Sequence, residues 1–452
     1  MSKPMISVAG IRGIVADSLR VEEFFRYALA FATLVRGGRV IIGRDSRTSG
    51  DMLHRMAVAA LQSAGCQIID LGLVPTPTVG IMILQLQAAG GIAITASHNP
   101  AEWNAYKFFG NHGSFLNDQQ KDELLAIESS GQFLRADHSN LGQVAQNTDA
   151  IGIHVDRILQ TVDVQKIRDA RFKVVVDCVN GVGHSAAAPL LDYLGCQTEY
   201  LYAEPTGQFP RNPEPLPENL VELGQRVKAT GAAIGFAIDP DADRLALVDE
   251  NGKPLGEERT LVLAARSVLA KAATTGTAQP PAVVCNLSTT RALDDVVNEF
   301  GARLHRTPIG EAWVVKAITD EHALIGGEGN GGVIFPCVHP GRDAATGIAL
   351  ILQAMAVTGK SISRLNAEVP DYVMIKTKFP ATPQAITNLA RLVGEEFADA
   401  DEIITRDGVK AAWADRWVHV RPSGTEPVVR IFAEGLTRDV VQNLVSRAEK
   451  LF

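Results

Sequence analysis

RVIIGRDSRTSG (39–50) is an apolar run that ends in a small polar loop and enters an amphipathic stretch, which closes on a glycine and a second apolar run, AGCQIIDLG (64–72). The same grammar returns in KVVVDCVNGVG through LGCQTEYLY (173–202) and in AVVCNLSTTRALDDVVNEFGARLHRT (282–307). Short β-rich runs that feed helices of about a dozen residues through small loops make βαβ units with largely parallel pairing. Three copies in one chain predict three similar mixed-sheet α/β domains in series.

Two stretches read as seams between these units: the polar, irregular segment 139–149 and the turn-rich segment 251–257. Beyond Val369 and Pro370 the pattern changes to a strand over 372–379, a helix over 383–397, strands over 417–420 and 428–433, and a last helix. That predicts a fourth, α+β domain, with the four domains around a central cleft and boundaries at 1–150, 151–255, 256–368 and 369–452. At ~150 residues per domain, 452 residues suggest about three domains, or four if they are small.

Composition excludes several classes. Apolar residues at 46% and charged residues at 21% describe a chain that buries a large core, not a disordered one. With 43 basic and 51 acidic side chains the net charge is −8, which disfavours nucleic acid as a partner. Any phosphate must then be held by a local cluster of Arg, Lys and backbone N–H groups. The five cysteines include no CxxC pair and read as reduced core thiols. MSKPMISVAGIRG lacks the apolar run of a signal peptide, and the greasiest stretch, 346–357, is broken by Gln353 and too short to span a bilayer. The expectation is a soluble, cytoplasmic protein that engages no membrane.

Four segments carry chemistry. In ITASHNPAEWNAYKFF (94–109) an apolar strand ends in a small-residue turn that presents Ser97 and His98 at its carboxyl end, where α/β proteins bind ligands; a merely structural turn is the alternative. In GFAIDPDADRLALVDE (235–250), Asp239, Asp241 and Asp243 follow a strand at spacings of two, a hard-oxygen set suited to Mg²⁺. A solvated acidic loop is one alternative, and an aspartate nucleophile at Asp239 is another that this loop leaves open. An EF-hand is excluded, because its sixth position is Arg244 where a sharp turn needs Gly. GGEGNGGVIF (326–335) sets Glu328 and Asn330 among glycines, one acceptor and one donor–acceptor suited to vicinal sugar hydroxyls; a plain hairpin fits equally. In HVRPSGTEPVVRIFAE (419–434), Arg421 followed by Ser423, Gly424 and Thr425 is built like a phosphate clamp, with a structural arginine as the alternative.

Together and in this order, TASHNP, DPDADR, GGEGNGG and RPSGTEP resemble the α-D-phosphohexomutase family along nearly the whole chain. GIRG (10–13), GRDSRTSG (43–50), PTPTVG (75–80), VVDCVNGVG (175–183), FPRNPEPLPENL (209–220) and TPIG (307–310) extend the resemblance. It implies transfer of a phosphoryl group between the 1- and 6-positions of a hexose phosphate through phosphoserine at Ser97. The implied Mg²⁺ ligands are Ser97, Asp239, Asp241 and Asp243. Arg12, His98, Lys107 and Arg244 would line the reacting phosphate, Lys107 as general acid/base. Glu328 and Asn330 would read the sugar, and Arg421, Ser423, Gly424, Thr425 and Arg430 would hold the other phosphate. A hexose 1,6-bisphosphate is the implied activator.

The chain departs from the family pattern in two places. Pro240 and Ala242 stand where many relatives have Gly, with all three carboxylates kept. Gly332 stands where many bacterial relatives carry a His with a proton-transfer role, and His339 is the candidate replacement. GGExNGG followed by HPGRDA most resembles the archaeal-type phosphoglucosamine mutase branch, which points to glucosamine phosphate, with glucose and mannose phosphates as alternatives and a metal-dependent sugar-phosphate phosphatase behind them.

Overall fold

A computed structural model describes residues 4–275, 279–422 and 428–452. Its four sheets follow the chain in order. The first places strands Val40–Arg44, Ile68–Leu73, Gly90–Ile94 and Val144–Gln146 parallel, and closes one side with antiparallel Met5–Ser7, Gly10–Ile14 and Trp103–Gly110. The second pairs Lys173–Asp177 in parallel with Gln197–Leu201 and Ile234–Ile238, and Leu245–Val248 returns antiparallel. The third repeats that plan with Ala282–Asn286, Arg303–Thr307, Ile325–Glu328 and an antiparallel Gly332–Ile334. Each antiparallel return is a hairpin off a parallel strand, and two of these hairpins carry the loop of Asp239, Asp241 and Asp243 and the loop of Glu328 and Asn330.

The fourth sheet is wholly antiparallel, in the order Val373–Pro380, Val428–Gly435, Trp417–Pro422, Val409–Ala412, Glu402–Ile404, and helix Arg438–Glu449 covers it. The helix expected over 383–397 is two helices, Pro383–Thr387 and Leu389–Glu396, which meet at Asn388. The strands Glu402–Ile404 and Val409–Ala412 carry no long apolar alternation, so pattern alone did not single them out. The seam segment 139–149 contributes the strand Val144–Gln146. Its three side chains are exposed, and backbone pairing with Ile68–Leu73 holds it there.

Packing makes the series less independent than the repeats imply. The stretch 346–357 lies in helix Ala344–Thr358, which starts where the Asp343 carboxylate accepts the Ala345 N–H at 3.0 Å and stops at Gly359 in the left-handed region. A helix apolar all round must be buried all round. Ile348, Leu350, Ile351 and Leu352 pack into one core with Val155 and Leu190 of the second unit and Leu261 and Val296 of the third. Each such side chain contributes roughly 1.5–3 kcal/mol by leaving water. The first unit and the C-terminal domain keep cores of their own. No described helix is long and apolar enough to cross a membrane. All five cysteines are unpaired; Cys66, Cys178 and Cys285 are buried, but Cys337 is exposed, so the expectation of core thiols does not hold there.

Candidate functional site

Ser97 leaves the end of strand Gly90–Ile94 with φ +51°, a left-handed conformation that strains a non-glycine residue. Arg47 holds it there. Its guanidinium is fully buried, paired with Asp45 at 3.1 Å, and donates to the carbonyls of Ser97 and Asn99 at 2.6 Å, Pro100 at 2.5 Å and Trp103 at 3.0 Å. Thr95 Oγ1 accepts the Ser97 N–H at 2.9 Å and donates to Asp45 at 2.6 Å. The GRDSRTSG motif is therefore the brace of the serine loop, a role that the motif by itself did not disclose.

Held this way, Ser97 Oγ donates to Asp239 Oδ2 at 2.9 Å and lies 3.4 Å from His98 Nδ1. Asp239, Asp241 and Asp243 each bring a carboxylate oxygen to within 4.8 Å of the others, and no second such trio is found among the described residues. Asp241 Oδ1 and Asp243 Oδ1 are buried with no hydrogen-bond partner. Burial, then the charges of Asp243 and Asp241, push the Asp239 carboxyl well above the usual range. Three crowded hard oxygens with unused lone pairs fit a divalent cation such as Mg²⁺. Ala242 turns this loop with φ +59°, which is why a glycine suits the position, although alanine is accommodated.

The loop is anchored from both neighbouring units. Thr76 of the first unit donates to Asp241 Oδ2 at 2.6 Å, and the Leu245 N–H donates to the Gly331 carbonyl of the loop 326–335 at 3.0 Å. Lys107 Nζ is buried between Asp241 Oδ2 at 2.6 Å and Asp243 Oδ2 at 3.3 Å. Burial alone would lower its pKa, but the two carboxylates outweigh burial and hold it above the usual lysine value. Arg12 donates to Asn99 at 2.7 Å; burial and then Arg244 lower its pKa to about 10. Arg244 donates to Glu214 at 3.3 Å, a carboxylate that also stands 3.7 Å from His98. Burial, then Arg244 and Arg12, hold the His98 imidazole well below its usual range.

From His98 and Arg244 a cavity of 480 Å³ opens past Glu328 and Asn330 to Arg421 and Arg430, within the ~300–1,000 Å³ range of small-molecule sites. Arg421 and Arg430 face each other across neighbouring strands, and Arg421 is pinned to Asp407 at 3.2 Å. Ser423, Gly424 and Thr425 lie outside the described residues. A 580 Å³ cavity lined by Asp249, Arg259 and Asp371 contains none of these groups.

The loop 326–335 is a hairpin and also a cleft wall. Glu328 accepts from Asn286 at 3.0 Å, the Gly310 N–H at 3.2 Å and Arg342 at 3.0 Å, while Asn330 Oδ1 accepts the Gly332 N–H at 3.2 Å. A Cβ at Gly332 would come within 2.2 Å of Arg342 Cδ, so Arg342 fills the space expected for His339 or its equivalent. Arg342 also pairs with Asp243 at 2.7 Å and Glu311 at 2.9 Å. His339 does not line the cleft; both its ring nitrogens are buried without partners, and burial lowers its pKa to about 4. Sequence reasoning missed Arg342, although it stands in the quoted HPGRDA. It also missed Lys376, which donates to Glu257 and Glu258 at 2.8 Å and to the Gly329 carbonyl at 3.1 Å.

The fold and site define a four-domain α/β protein whose cleft runs from His98 and Arg244, beside a braced serine and three carboxylates, to a pair of arginines. Models of phosphoglucomutase/phosphomannomutase α/β/α domains I, II and III match residues 5–135, 153–252 and 257–372, and the model of the C-terminal domain matches 365–451. The chain belongs to the phosphoglucomutase/phosphomannomutase family, the α-D-phosphohexomutases, and is an isomerase of that class. It is 37% identical to a Thermococcus kodakarensis protein named phosphoglucomutase/phosphomannomutase, over 98% of this chain and 97% of that one. A Methanopyrus kandleri protein named probable phosphoglucosamine mutase is 36% identical over 96% of this chain and 95% of its own. The crystal structure of a family protein from Burkholderia thailandensis superimposes with a TM-score of 0.84 at 27% identity, covering 99% of this chain and 97% of that one.

Proposed function

We propose that the protein interconverts hexose 6-phosphate and hexose 1-phosphate through phosphoserine at Ser97 and a hexose 1,6-bisphosphate intermediate, with glucosamine phosphate as preferred substrate. The observation that carries the reading is Ser97 Oγ, 2.9 Å from Asp239 and 3.4 Å from His98, the residue at the inner end of a cleft whose outer end presents Arg421 and Arg430. One end suits a transferring phosphoryl group, and the other suits a phosphate that is only held. Names of similar proteins, probable phosphoglucosamine mutases among them, favour the glucosamine sugar over glucose or mannose.

Asp239, Asp241 and Asp243, with the phosphate on Ser97, would hold Mg²⁺, which when bound supplies positive charge against the transferring group. Arg12 and Arg244 bring fixed positive charge to the same end, and His98 stands 3.4 Å from the serine hydroxyl. Glu328 and Asn330 orient the sugar, and Arg421 and Arg430, with 423–425, clamp the idle phosphate. Positioning and charge neutralisation of this kind carry most of phosphoryl transfer. The bisphosphate reorients so that its second phosphate returns to Ser97, and added hexose 1,6-bisphosphate primes an unphosphorylated serine. Unpaired thiols accord with a reducing, cytoplasmic setting.

The test is a panel of glucosamine, glucose and mannose 1- and 6-phosphates with catalytic bisphosphate, alongside peptide mass spectrometry. Interconversion without net free phosphate, fastest for glucosamine phosphate, and a phosphoryl group on Ser97 are expected. Stoichiometric release of phosphate, or a label on Asp239, would overturn the mutase cycle; a faster glucose or mannose phosphate would overturn the sugar.

A further inference from the structure

Glu311 opens helix Glu311–Asp320 and lines the cleft, yet neither the family motifs nor the cycle above gives it work. Its carboxylate is buried and underused. Oε1 accepts one N–H, from the Arg342 backbone at 3.2 Å. Oε2 lies 2.9 Å from Arg342 Nε but off the N–H direction, so both atoms are buried without a hydrogen bond. Native structures keep few such orphans without a function.

Its surroundings are those of the reacting end. The Arg342 guanidinium that faces Glu311 also reaches Asp243 Oδ2 at 2.7 Å, and Lys107 Nζ stands 3.3 Å from that same oxygen. On the other side Arg342 holds Glu328, which reads the sugar in the proposed cycle. No side chain at 332 can stand between them, because Arg342 occupies that space. An arginine stays protonated and cannot accept a proton, His339 lies off the cleft, and Lys107 Nζ is already taken up by Asp241 at 2.6 Å and Asp243 at 3.3 Å. Outside the aspartate trio, Glu311 is the carboxylate of this cluster with a buried oxygen left without a hydrogen bond.

Resting on the mutase reading, we propose that Glu311 takes the proton of the attacking sugar hydroxyl, with Arg342 as the residue that positions its carboxylate. In the first half-cycle the sugar oxygen forms its bond to phosphorus and gives its proton to Glu311. The bond from phosphorus to Ser97 Oγ breaks with its electron pair on Oγ, which takes a proton from the Lys107 ammonium. In the second half-cycle Ser97 Oγ attacks the other phosphate and returns its proton to Lys107, while the departing sugar oxygen recovers one from Glu311. Both groups end as they began.

Burial, opposed by Arg342 and Lys107 and reinforced by Asp243 and Glu328, holds the Glu311 carboxyl up at about 7, where a general base works best near neutrality. The base form is lost as pH falls, so turnover should decline on the acid side with an apparent pKa near that value.

The test measures kcat and KM against pH for wild type, Glu311→Gln and Glu311→Asp, with substrate binding and melting temperature as checks of folding. Glu311→Gln should lower kcat by ~10²–10⁴-fold, the usual contribution of a general base, with KM little changed and the acid limb gone. Glu311→Asp should keep the limb at reduced rate. Wild-type turnover in Glu311→Gln, or an acid limb unchanged in it, overturns the inference and leaves the mutase reading standing. Failure of the wild type to interconvert the phosphates removes both.

Discussion

Replacing Arg47 with methionine removes the brace of the serine loop while keeping much of its volume. The guanidinium is fully buried, ion-paired to an equally buried Asp45, and bonded to four carbonyls between Ser97 and Trp103. The carbonyls at Asn99 and Pro100 belong to partly exposed residues and can turn to water, so they add little to the cost. Asp45 cannot. Burial already pushes its carboxyl up against the pull of Arg47, and without Arg47 it keeps only Thr95 and a backbone N–H. Breaking a buried pair by removing one partner costs about 3–5 kcal/mol. At ~3 °C per kcal/mol for a unit of this size, the first domain should melt ~10–15 °C lower by scanning calorimetry. Turnover should fall by ~10²-fold, because Ser97 would drift from its strained φ. Adding Asp45→Asn should recover part of the stability but not the rate, since it removes the stranded charge without restoring the loop. A stability loss under ~1 kcal/mol, the range of an exposed pair, would refute the brace.

Asp241→Asn should raise the Mg²⁺ concentration for half-maximal activity by at least the ~10–100-fold that loss of a ligand's outer partner costs, and full activity in chelator would remove the metal assignment. Arg421→Lys should raise KM ~10–100-fold with kcat little changed, since it loses a charge-assisted fork of about 1.5–3 kcal/mol that binds ground and transition states alike; a pure kcat defect would place Arg421 at the reacting end. Lys410, on strand Val409–Ala412 of the C-terminal domain, is buried against the third unit, donating to the Leu287 carbonyl at 2.6 Å, with its Nζ 4.2 Å from the Trp417 ring centroid, and burial and then Arg306 lower its pKa to about 7. The unfolded chain binds that proton up to the usual lysine value of 10.5. The penalty is therefore full below about 7 and is relieved as pH climbs to 10.5, so wild type should gain thermal stability relative to Lys410→Met across that window.

What the sequence decided is what short range decides. The strand, loop and helix grammar of 39–72, 173–202 and 282–307 set three α/β units, because backbone pairing and the period of apolar residues are local properties. Ser97, His98, the three aspartates, Glu328, Asn330 and Arg421 were legible because each motif holds its chemistry within a few residues at the end of a strand. Tertiary structure decided what joins them. Arg342 meets Asp243 across 99 residues of chain, and Arg47 meets Ser97 across 50. Neither arginine announces its partners, since a buried cation goes wherever the packed backbone leaves acceptors unpaired. The fusion of the second and third units through helix Ala344–Thr358 was hidden for the same reason. An all-apolar helix states that it will be buried, and only the assembled fold states against what.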